Sequence, residues 1–197
     1  KEMIRSMVID VLQGQKQDIA SSRPVKPVSR NQVEPGVFDT VDEAIRAAKE
    51  AQLRFEDCTL ATREKVIADI RAAMRPRVQE LAQKTVEETG MGRVADKVLK
   101  LNLTLDKTPG VEDLITECET GDNGMTLYEL SAYGVIGAIT PSTNPAETLI
   151  CNSIGMLAAG NAIFFSVHPG AKNLSRELVS ELNQVIAKSI GIENLIV

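Results

Sequence analysis

The pair Asn144-Pro145 is the strongest candidate for chemistry in this sequence. It ends the segment Thr140-Pro-Ser-Thr-Asn-Pro145, which links a short apolar run to a helical pattern. Asn is favoured just before a helix and Pro fits the first helical position, so spacing alone predicts a plain helix start. The functional hypothesis is that the Asn144 amide N–H points into a cleft. There, beside the positive end of the helix, it would stabilise a developing oxyanion.

His168 is the second candidate, and it is the only histidine of the chain. It stands before Pro169 at the end of an apolar run. It is therefore either a turn residue or a ligand contact, because open α/β sheets bind ligands at their strand ends. One histidine excludes any site that needs two histidine ligands. Three widely spaced cysteines without a CxxC pair predict neither a metal site nor a disulfide framework.

The three cysteines, Cys58, Cys118 and Cys151, are predicted to be small core thiols. Cys151 follows the Asn-Pro pair by two helical turns, and its neighbours Ile150 and Ile154 indicate a buried helix face. The other two have no basic neighbour placed to activate a thiol. A serine hydrolase has little support either, since no G-x-S-x-G segment surrounds a serine.

Two glycine-containing segments lack residues that a phosphate-binding loop requires. The segment 155–160 is followed by Asn161, where a P-loop needs a lysine. We therefore expect Gly160 to end a helix and Asn161 to open a strand. Gly134 and Gly137 are too few for a dinucleotide fingerprint. No Rossmann-type phosphate loop is visible in the sequence.

The elements that must position these residues lie between residues 133 and 197. Apolar runs at 135–139, 162–167 and 195–197 alternate with two helical segments of about 15 residues, a pattern typical of a parallel α/β sheet. The links that follow the runs then lie at the carboxyl ends of the strands. Because two or three parallel strands leave open edges, we expect this sequence to be part of a longer polypeptide.

The preceding residues predict a helical part and a hairpin. Thr40 and Glu43 form a capping box for a helix whose apolar side includes Val41, Ala44, Ile45, Ala48 and Ala51. A second helix starts near Thr62, Pro76 interrupts the pattern, and it continues to Gly90. A further amphipathic helix follows, and the charges on these helices are predicted to be solvated. The turn signal at 121–124 separates two antiparallel strands.

Residues 1–33 differ from the rest of the chain. They hold six basic and three acidic residues, and apolar side chains recur at helical spacing from Met3 to Leu12. A polar stretch with two prolines then indicates a linker. The short helix needs a surface. It is docked on its own domain, or is a detachable docking helix for another protein, or lies on a membrane surface, which a polar face poor in Lys and Arg disfavours.

Composition excludes two classes of function. The net charge is −5, without a basic stripe that carries aromatic residues, which argues against nucleic-acid binding. No run of 18 or more apolar residues occurs, so no segment is predicted to span a membrane. Aromatic residues make up only 3%, and we therefore expect an aliphatic core.

Several motifs together resemble the CoA-acylating branch of the aldehyde dehydrogenase superfamily, the acetaldehyde and propionaldehyde dehydrogenases of bacterial microcompartments. The motifs cover roughly residues 36–197 in the expected order. They are Glu88-Thr-Gly-Met-Gly-Arg93, Lys107-Thr-Pro-Gly110, Gly121-Asp-Asn-Gly124, Thr140-Pro-Ser-Thr-Asn-Pro145, and Ala159-Gly-Asn161 leading to His168-Pro169. The resemblance implies an α/β fold, with amino-terminal helices and an antiparallel hairpin leading into the first βαβα units of a truncated Rossmann-like sheet.

The resemblance also implies the reaction. A cysteine thiolate adds to an aldehyde, hydride passes to NAD, and CoA cleaves the thioester to give acyl-CoA. Asn144 maps onto an oxyanion donor, and the nucleophilic cysteine has no counterpart before Val197, so the chain alone is expected to be inactive. The alternative is a non-catalytic binding or shell-targeting module; another enzyme on the same fold, such as an acyl-phosphate reductase, is a third option.

The cofactor contacts implied by the resemblance are Thr140, Pro141, Ser142, Ser166, His168 and Pro169. Ordinary aldehyde dehydrogenases hold the adenosine ribose with a Lys and a Glu, where this sequence has Ser166 and Pro169. The acylating branch shares the His-Pro form, which fits a site that takes NAD and CoA in turn.

The resemblance finally implies partners and a location. Residues 1–20 look like an encapsulation peptide that binds microcompartment shell proteins, with residues 21–37 as its linker. Residues 38–110 would be the helical part of the NAD-binding domain, and 132–197 the first half of the cofactor domain. The hairpin at 111–131 would join subunits of a dimer or tetramer, in the bacterial cytoplasm within a microcompartment.

Overall fold

A computed structural model describes residues 34–197 of the chain. This part holds six α-helices and four strands in the order helices, hairpin, then alternating strand and helix. The elements are α1 (Val41–Glu56), α2 (Leu60–Met74), α3 (Val78–Thr89), α4 (Val94–Lys107), β1 (Glu117–Gly121), β2 (Gly124–Tyr128), β3 (Val135–Ile139), α5 (Pro145–Ala158), β4 (Ala162–Ser166) and α6 (Lys172–Ile190). The expectations for residues 1–33 lie outside the described residues.

The parallel sheet predicted from the three apolar runs is confirmed. β3 pairs with β4 in parallel, from Val135 opposite Ala162 to Ile139 opposite Ser166. The third run lies on the other side of β4. There the Val197 N–H donates to the Ile163 carbonyl at 2.9 Å, although only a single bridge forms and not a full strand. β4 is therefore the middle member of this sheet.

Helices cover the sheet and supply the core. Both α1 and α5 contact β4, and α2 and α6 pack on each other beside them. The largest fully buried side chains are almost all aliphatic, with Phe55 as the exception, as the composition predicted. Residues 34–37, which the sequence assigned to the linker, form a turn against this body. Gly36 is buried so close to Ile196 that a Cβ there would lie 2.5 Å from its carbonyl oxygen.

The helix boundaries follow the local signals in the sequence. Thr40 precedes α1, where the Glu43 N–H donates to Thr40 Oγ1 at 3.3 Å, and the Thr40 hydroxyl donates to the Glu43 carboxylate at 2.9 Å. Pro76 lies in a 3₁₀ turn between α2 and α3, and α3 ends at Gly90 with a φ of 67°. Such a left-handed conformation suits glycine. The predicted apolar side of α1 was partly wrong, because Val41 is 56% exposed and only the alanines of that face are buried.

The predicted hairpin is also confirmed, and it lies on the surface. Glu117 pairs with Tyr128 and Gly121 with Gly124, so that Asp122 and Asn123 form a two-residue turn. Every residue of β1 and β2 is exposed. These strands contact each other and contribute nothing to the core of the described part.

The prediction of buried thiols was wrong for two of the three cysteines. Cys118 lies on the exposed hairpin, and Cys151 is exposed on α5, whereas Cys58 is half-buried. Cys151 follows the buried Ile150 by one residue and is therefore turned about 100° around the helix, beyond the edge of its buried face. None of the helices in the described part has the length and apolarity to cross a membrane.

Candidate functional site

The carboxyl ends of β3 and β4 lie side by side and carry the candidate residues on the loops that follow. The Thr140 N–H donates to the Ser166 carbonyl at 3.1 Å, which fixes the first residue after β3 against the last residue of β4. Thr140 is buried, and its hydroxyl oxygen finds no hydrogen-bond partner within residues 34–197. A buried polar atom without a partner marks a place where a bound molecule can supply one.

Asn144 stands immediately before α5, with Pro145 as the first helical residue. The helix start predicted from the pair is therefore present, but the Asn144 side chain makes no capping hydrogen bond. Its Oδ1 accepts from the Lys97 ammonium at 3.1 Å and from the Lys100 ammonium at 3.2 Å. The amide nitrogen has no partner in the described part of the chain. It is thus the group that Asn144 can offer to a ligand.

Lys97 anchors this loop from the interior. It is only 3% exposed, and its ammonium also donates to the Thr143 carbonyl. Glu147, in the first turn of α5, is 7% exposed and places Oε1 3.5 Å from the same ammonium. The buried charge therefore has a buried counter-charge. Neither carboxylate oxygen of Glu147 accepts a hydrogen bond within residues 34–197.

A cleft of about 570 Å³ opens beside Asn144. Its wall combines the turn after α3, one face of α4 and the loop before α5. The lining residues are Met91, Gly92, Arg93, Asp96, Lys97, Leu99, Lys100, Thr143 and Asn144. Asp96 accepts from the Arg93 guanidinium at 2.7 Å, and this hydrogen bond raises the pKa of Arg93. Lys97 faces Glu147 at 3.5 Å, and Lys100 makes no ion pair within residues 34–197. The wall therefore keeps one net positive charge and favours an anion.

His168 adopts the turn role that the sequence left open. Its Nδ1 accepts from the Gly170 N–H at 3.0 Å, and Pro169 begins a 3₁₀ turn that leads into α6. The His168 side chain is exposed, as are Ser166 and Pro169. Their position at the end of β4 leaves them accessible to a ligand.

The segment from Glu88 to Arg93 touches both loops. The Glu88 carboxylate accepts from the backbone N–H groups of Asn173 at 2.8 Å and Leu174 at 2.7 Å, and so caps α6. Met91 lies against the other loop, with its sulfur 3.8 Å from the Ser142 hydroxyl. Pro141, next to Ser142, is exposed. All the predicted site residues therefore lie at the end of β4 or on the loops that follow β3 and β4, and the segment from Glu88 to Arg93 contacts both regions.

No cysteine lines the cleft. Cys151 is seven residues along α5 from Asn144, which corresponds to about 10 Å of helix rise. Among residues 34–197, no three His, Cys, Asp or Glu side chains come together in a way that could hold a metal ion. What the arrangement offers is an amide N–H and positive charge. It lacks a nucleophile.

Four functional candidates were not predicted from the sequence, because the charges of the helices before residue 110 were expected to be solvated and Glu147 was given no role. They are Glu88, Lys97, Lys100 and Glu147. For Lys97 that expectation was wrong, since the side chain is buried. A signal was available: Lys97 is spaced by three and four residues from Val94 and Leu101, and so belongs to the apolar stripe of α4.

Comparison with known proteins places this geometry among relatives. The model of the aldehyde dehydrogenase family matches residues 12–185. The propanal dehydrogenase (CoA-propanoylating) of Salmonella typhimurium is 50% identical over 174 residues, covering 88% of this chain and 36% of the relative. The acetaldehyde dehydrogenase (acetylating) of Escherichia coli is 47% identical over 164 residues, covering 83% of this chain and 35% of the relative.

Solved structures give the same picture. A propionaldehyde dehydrogenase from the Clostridium phytofermentans fucose utilisation bacterial microcompartment superposes with a TM-score of 0.80 at 48% identity, covering 83% of this chain and 38% of that one. A propionaldehyde dehydrogenase of Rhodopseudomonas palustris, solved with bound CoA and an acylated cysteine, gives 0.81 at 48% identity, over 84% of this chain and 38% of that one. The chain thus spans somewhat more than a third of the length of these relatives.

Proposed function

This chain belongs to the aldehyde dehydrogenase family, and we propose that it is the amino-terminal part of a CoA-acylating member. The complete enzyme oxidises a short aldehyde, acetaldehyde or propionaldehyde, with NAD and CoA to acyl-CoA and NADH. The identity of 50% to a CoA-propanoylating relative supports this reaction class. The observation that carries the proposal is the Asn144 amide, whose oxygen is held by two lysines while its nitrogen is left to donate.

In this proposal Asn144 donates to the oxygen of the aldehyde carbonyl. When a thiolate attacks the carbonyl carbon, a C–S bond forms and the π electrons move onto the oxygen, which becomes an oxyanion. A fixed N–H donor beside that oxygen stabilises the developing oxyanion more than it stabilises the neutral aldehyde. The barrier to thiolate attack is therefore lowered. Lys97 and Lys100 hold the amide oxygen, and Lys100, which makes no ion pair within residues 34–197, adds positive charge to the wall of the cleft.

The thiolate belongs to a cysteine that follows Val197 in the complete enzyme. None of the three cysteines of this chain lines the cleft, and none has a hydrogen bond from a cation in the described part. Cys151→Ala in the complete enzyme is therefore expected to retain activity.

The ends of β3 and β4 fit a nucleotide cofactor. The buried Thr140 hydroxyl lacks a partner, and Ser142, Ser166 and His168 add polar groups beside it, flanked by Pro141 and Pro169. We propose that these residues hold NAD and then CoA. NAD accepts a hydride, and the CoA thiol accepts the acyl group. The chain's own contribution is to bind these molecules and to orient them toward Asn144.

We further propose that the hairpin of β1 and β2 joins subunits of a homodimer or tetramer. Support comes from its full exposure, with Met125, Leu127 and Tyr128 on the surface. Exposed apolar groups on a hairpin without a core of its own are typical of a contact surface. Gel filtration with light scattering of a variant carrying Met125→Lys and Leu127→Lys is expected to show smaller assemblies.

Residues 1–20 are proposed to bind microcompartment shell proteins, which would place the enzyme within a bacterial microcompartment. A relative at 48% identity comes from such a compartment. A reporter fused to residues 1–20 should co-localise with shell proteins. A diffuse reporter would favour a helix docked on its own domain.

The competing proposal is a non-catalytic binding or shell-targeting module, which the lack of a cysteine in the cleft favours. Assaying both the complete enzyme and the 197-residue chain separates the two. We expect the complete enzyme to form NADH only with both aldehyde and CoA, and the short chain to form none. An inactive complete enzyme would support the module, whereas activity of the short chain would contradict a nucleophile after Val197.

A further inference from the structure

Lys97 places a positive charge in the wall of the cleft, at a buried position where an apolar residue would be expected. The side chain is 3% exposed and shares its face of α4 with Val94 and Leu101. An ammonium group taken out of water is costly unless good partners surround it. A leucine would pack on such a face without that cost.

Within residues 34–197, all partners of the Lys97 ammonium belong to one junction, residues 143–147. It donates to the Thr143 carbonyl and to Asn144 Oδ1, the latter at 3.1 Å. The Glu147 carboxylate lies further away at 3.5 Å and accepts no hydrogen bond within residues 34–197. If the lysine served only to neutralise Glu147, its hydrogen bonds would go to the carboxylate. They go to the loop.

These bonds determine which way the Asn144 amide faces. An ammonium has three donors and no acceptor, so the amide can meet Lys97 and Lys100 only through its oxygen. The NH₂ group must then point away from both lysines. Cationic donors on the carbonyl also draw electron density from the amide nitrogen and make its N–H a stronger donor.

The same lysine shields the site from Glu147. Glu147 is 7% exposed and lies in the first turn of the helix that Asn144 precedes. Without Lys97 it would be a buried anion close to the point where a second negative charge develops. Repulsion between the two would raise the barrier.

We propose that Lys97 is the positioning residue of this site: it holds the amide oxygen of Asn144, so that the amide N–H faces the oxyanion, and it offsets the charge of Glu147. The inference rests on the proposed function, because the oxyanion belongs to the aldehyde reaction. It assigns Lys97 no contact with substrate.

The test is a double-mutant cycle in the complete enzyme. Lys97→Met is expected to lower kcat by on the order of 10-fold, with the KM for NAD unchanged. If Lys97 acts through Asn144, adding Lys97→Met to Asn144→Ala lowers kcat by less than Lys97→Met does alone, and the remainder is the repulsion from Glu147 that Glu147→Gln removes. A double variant whose loss is the product of the two single losses would overturn the inference. Lys107→Met, on the exposed last turn of α4, is the matched control and should behave as the wild type.

Loss of one member of a buried pair can also unfold a protein, so a second background is needed. If Lys97→Met does not fold, the cycle is repeated in Glu147→Gln, where no buried carboxylate is left without its counter-charge. An undiminished kcat of Lys97→Met in that background would overturn the inference.

A spectroscopic readout separates this inference from the proposed function. Asparagine labelled with ¹⁵N gives a side-chain amide signal for Asn144, assigned by its loss in Asn144→Ala. Lys97→Met is expected to shift this signal, and Lys107→Met to leave it in place. A wild type without CoA-dependent activity would refute the proposed function. An unshifted Asn144 signal in Lys97→Met would refute the positioning role, whatever the activity.

Discussion

Two helices of this chain begin with the same local pattern but make different hydrogen bonds. α1 follows Thr40 and has Glu43 as its third residue, and α5 follows Asn144 and has Glu147 as its third residue. At α1 the two side chains bond to each other in the pattern of a capping box. At α5 they do not meet, and both face Lys97 of another helix.

The difference shows which interaction is the stronger. A side-chain cap contributes about 1 kcal/mol, whereas leaving a buried ammonium without partners costs several. The start of α1 is exposed, so its local hydrogen bonds have no competitor. At the start of α5 the buried Lys97 outweighs the cap. A capping signature therefore predicts where a helix begins, but it does not predict what the capping side chains bind.

The largest expected effect comes from removing the free N–H donor of α5. Asn144→Asp keeps an oxygen for the lysines and an equally good residue for a helix start, but it replaces the NH₂ group by a carboxylate oxygen. We expect kcat of the complete enzyme to fall by about 100- to 1000-fold, the cost of one oxyanion donor. Asn144→Ala should fall by a similar factor. An Asp variant as active as the wild type would mean that Asn144 only starts the helix.

The second comparison concerns the two glutamates. Glu147→Gln removes the counter-charge of the buried Lys97 and is expected to lower the free energy of unfolding by about 3 kcal/mol. Glu43→Gln is the matched control. It changes a half-buried side chain at the same helical position, which has no buried counter-charge within residues 34–197, and we expect less than about 1 kcal/mol. Urea unfolding of both variants at neutral pH measures the difference, and equal losses would contradict the buried pair.

The third effect is smaller and concerns stability alone. Thr40→Ala removes the acceptor that Glu43 N–H uses at the start of α1, and should cost about 1 kcal/mol of unfolding free energy. Since α1 starts away from the cleft lining, kcat should not change. A loss of kcat in Thr40→Ala, with the folded protein intact, would show that the two helix starts are not functionally distinct.

The elements were predictable from sequence because local signals determine them. The turn at Asp122-Asn123, the interruption at Pro76 and the end of α3 at Gly90 each depend on a backbone preference of the residue itself. Short apolar runs likewise predicted β3 and β4. In these regions the tertiary structure agrees with the local preference, so short windows of sequence were sufficient.

The site was predictable only in part. The Asn144 position followed from its motif, but its partners did not, because Lys97 is 47 residues away and on another helix. A charge within an apolar stripe was the available signal, and it was taken for a solvated residue. The exposure of Cys151 was missed for a related reason. Its apolar neighbours Ile150 and Ile154 predict a buried face. Cys151, however, is turned by one residue around the helix from Ile150 and lies outside that face.

The smallest expected effect lies at a further carboxylate that caps locally, as Glu43 does. Hydrogen bonds from its own N–H and from the Gly110 N–H, the latter at 2.9 Å, hold the pKa of Glu112 below its ordinary value of 4.5. Because the pKa is lower in the folded state, the stabilisation is complete above the ordinary value. It is lost as the pH falls through the lowered one. Glu112→Gln should therefore be slightly less stable than the wild type at neutral pH, by less than Thr40→Ala. This difference in unfolding free energy should disappear in acid.

Asp113→Asn, an exposed neighbour whose side chain makes no hydrogen bond within residues 34–197, is the control. A gap for Glu112→Gln that persists unchanged into acid would show that the carboxylate charge does not contribute, and that local caps act here through their oxygen alone.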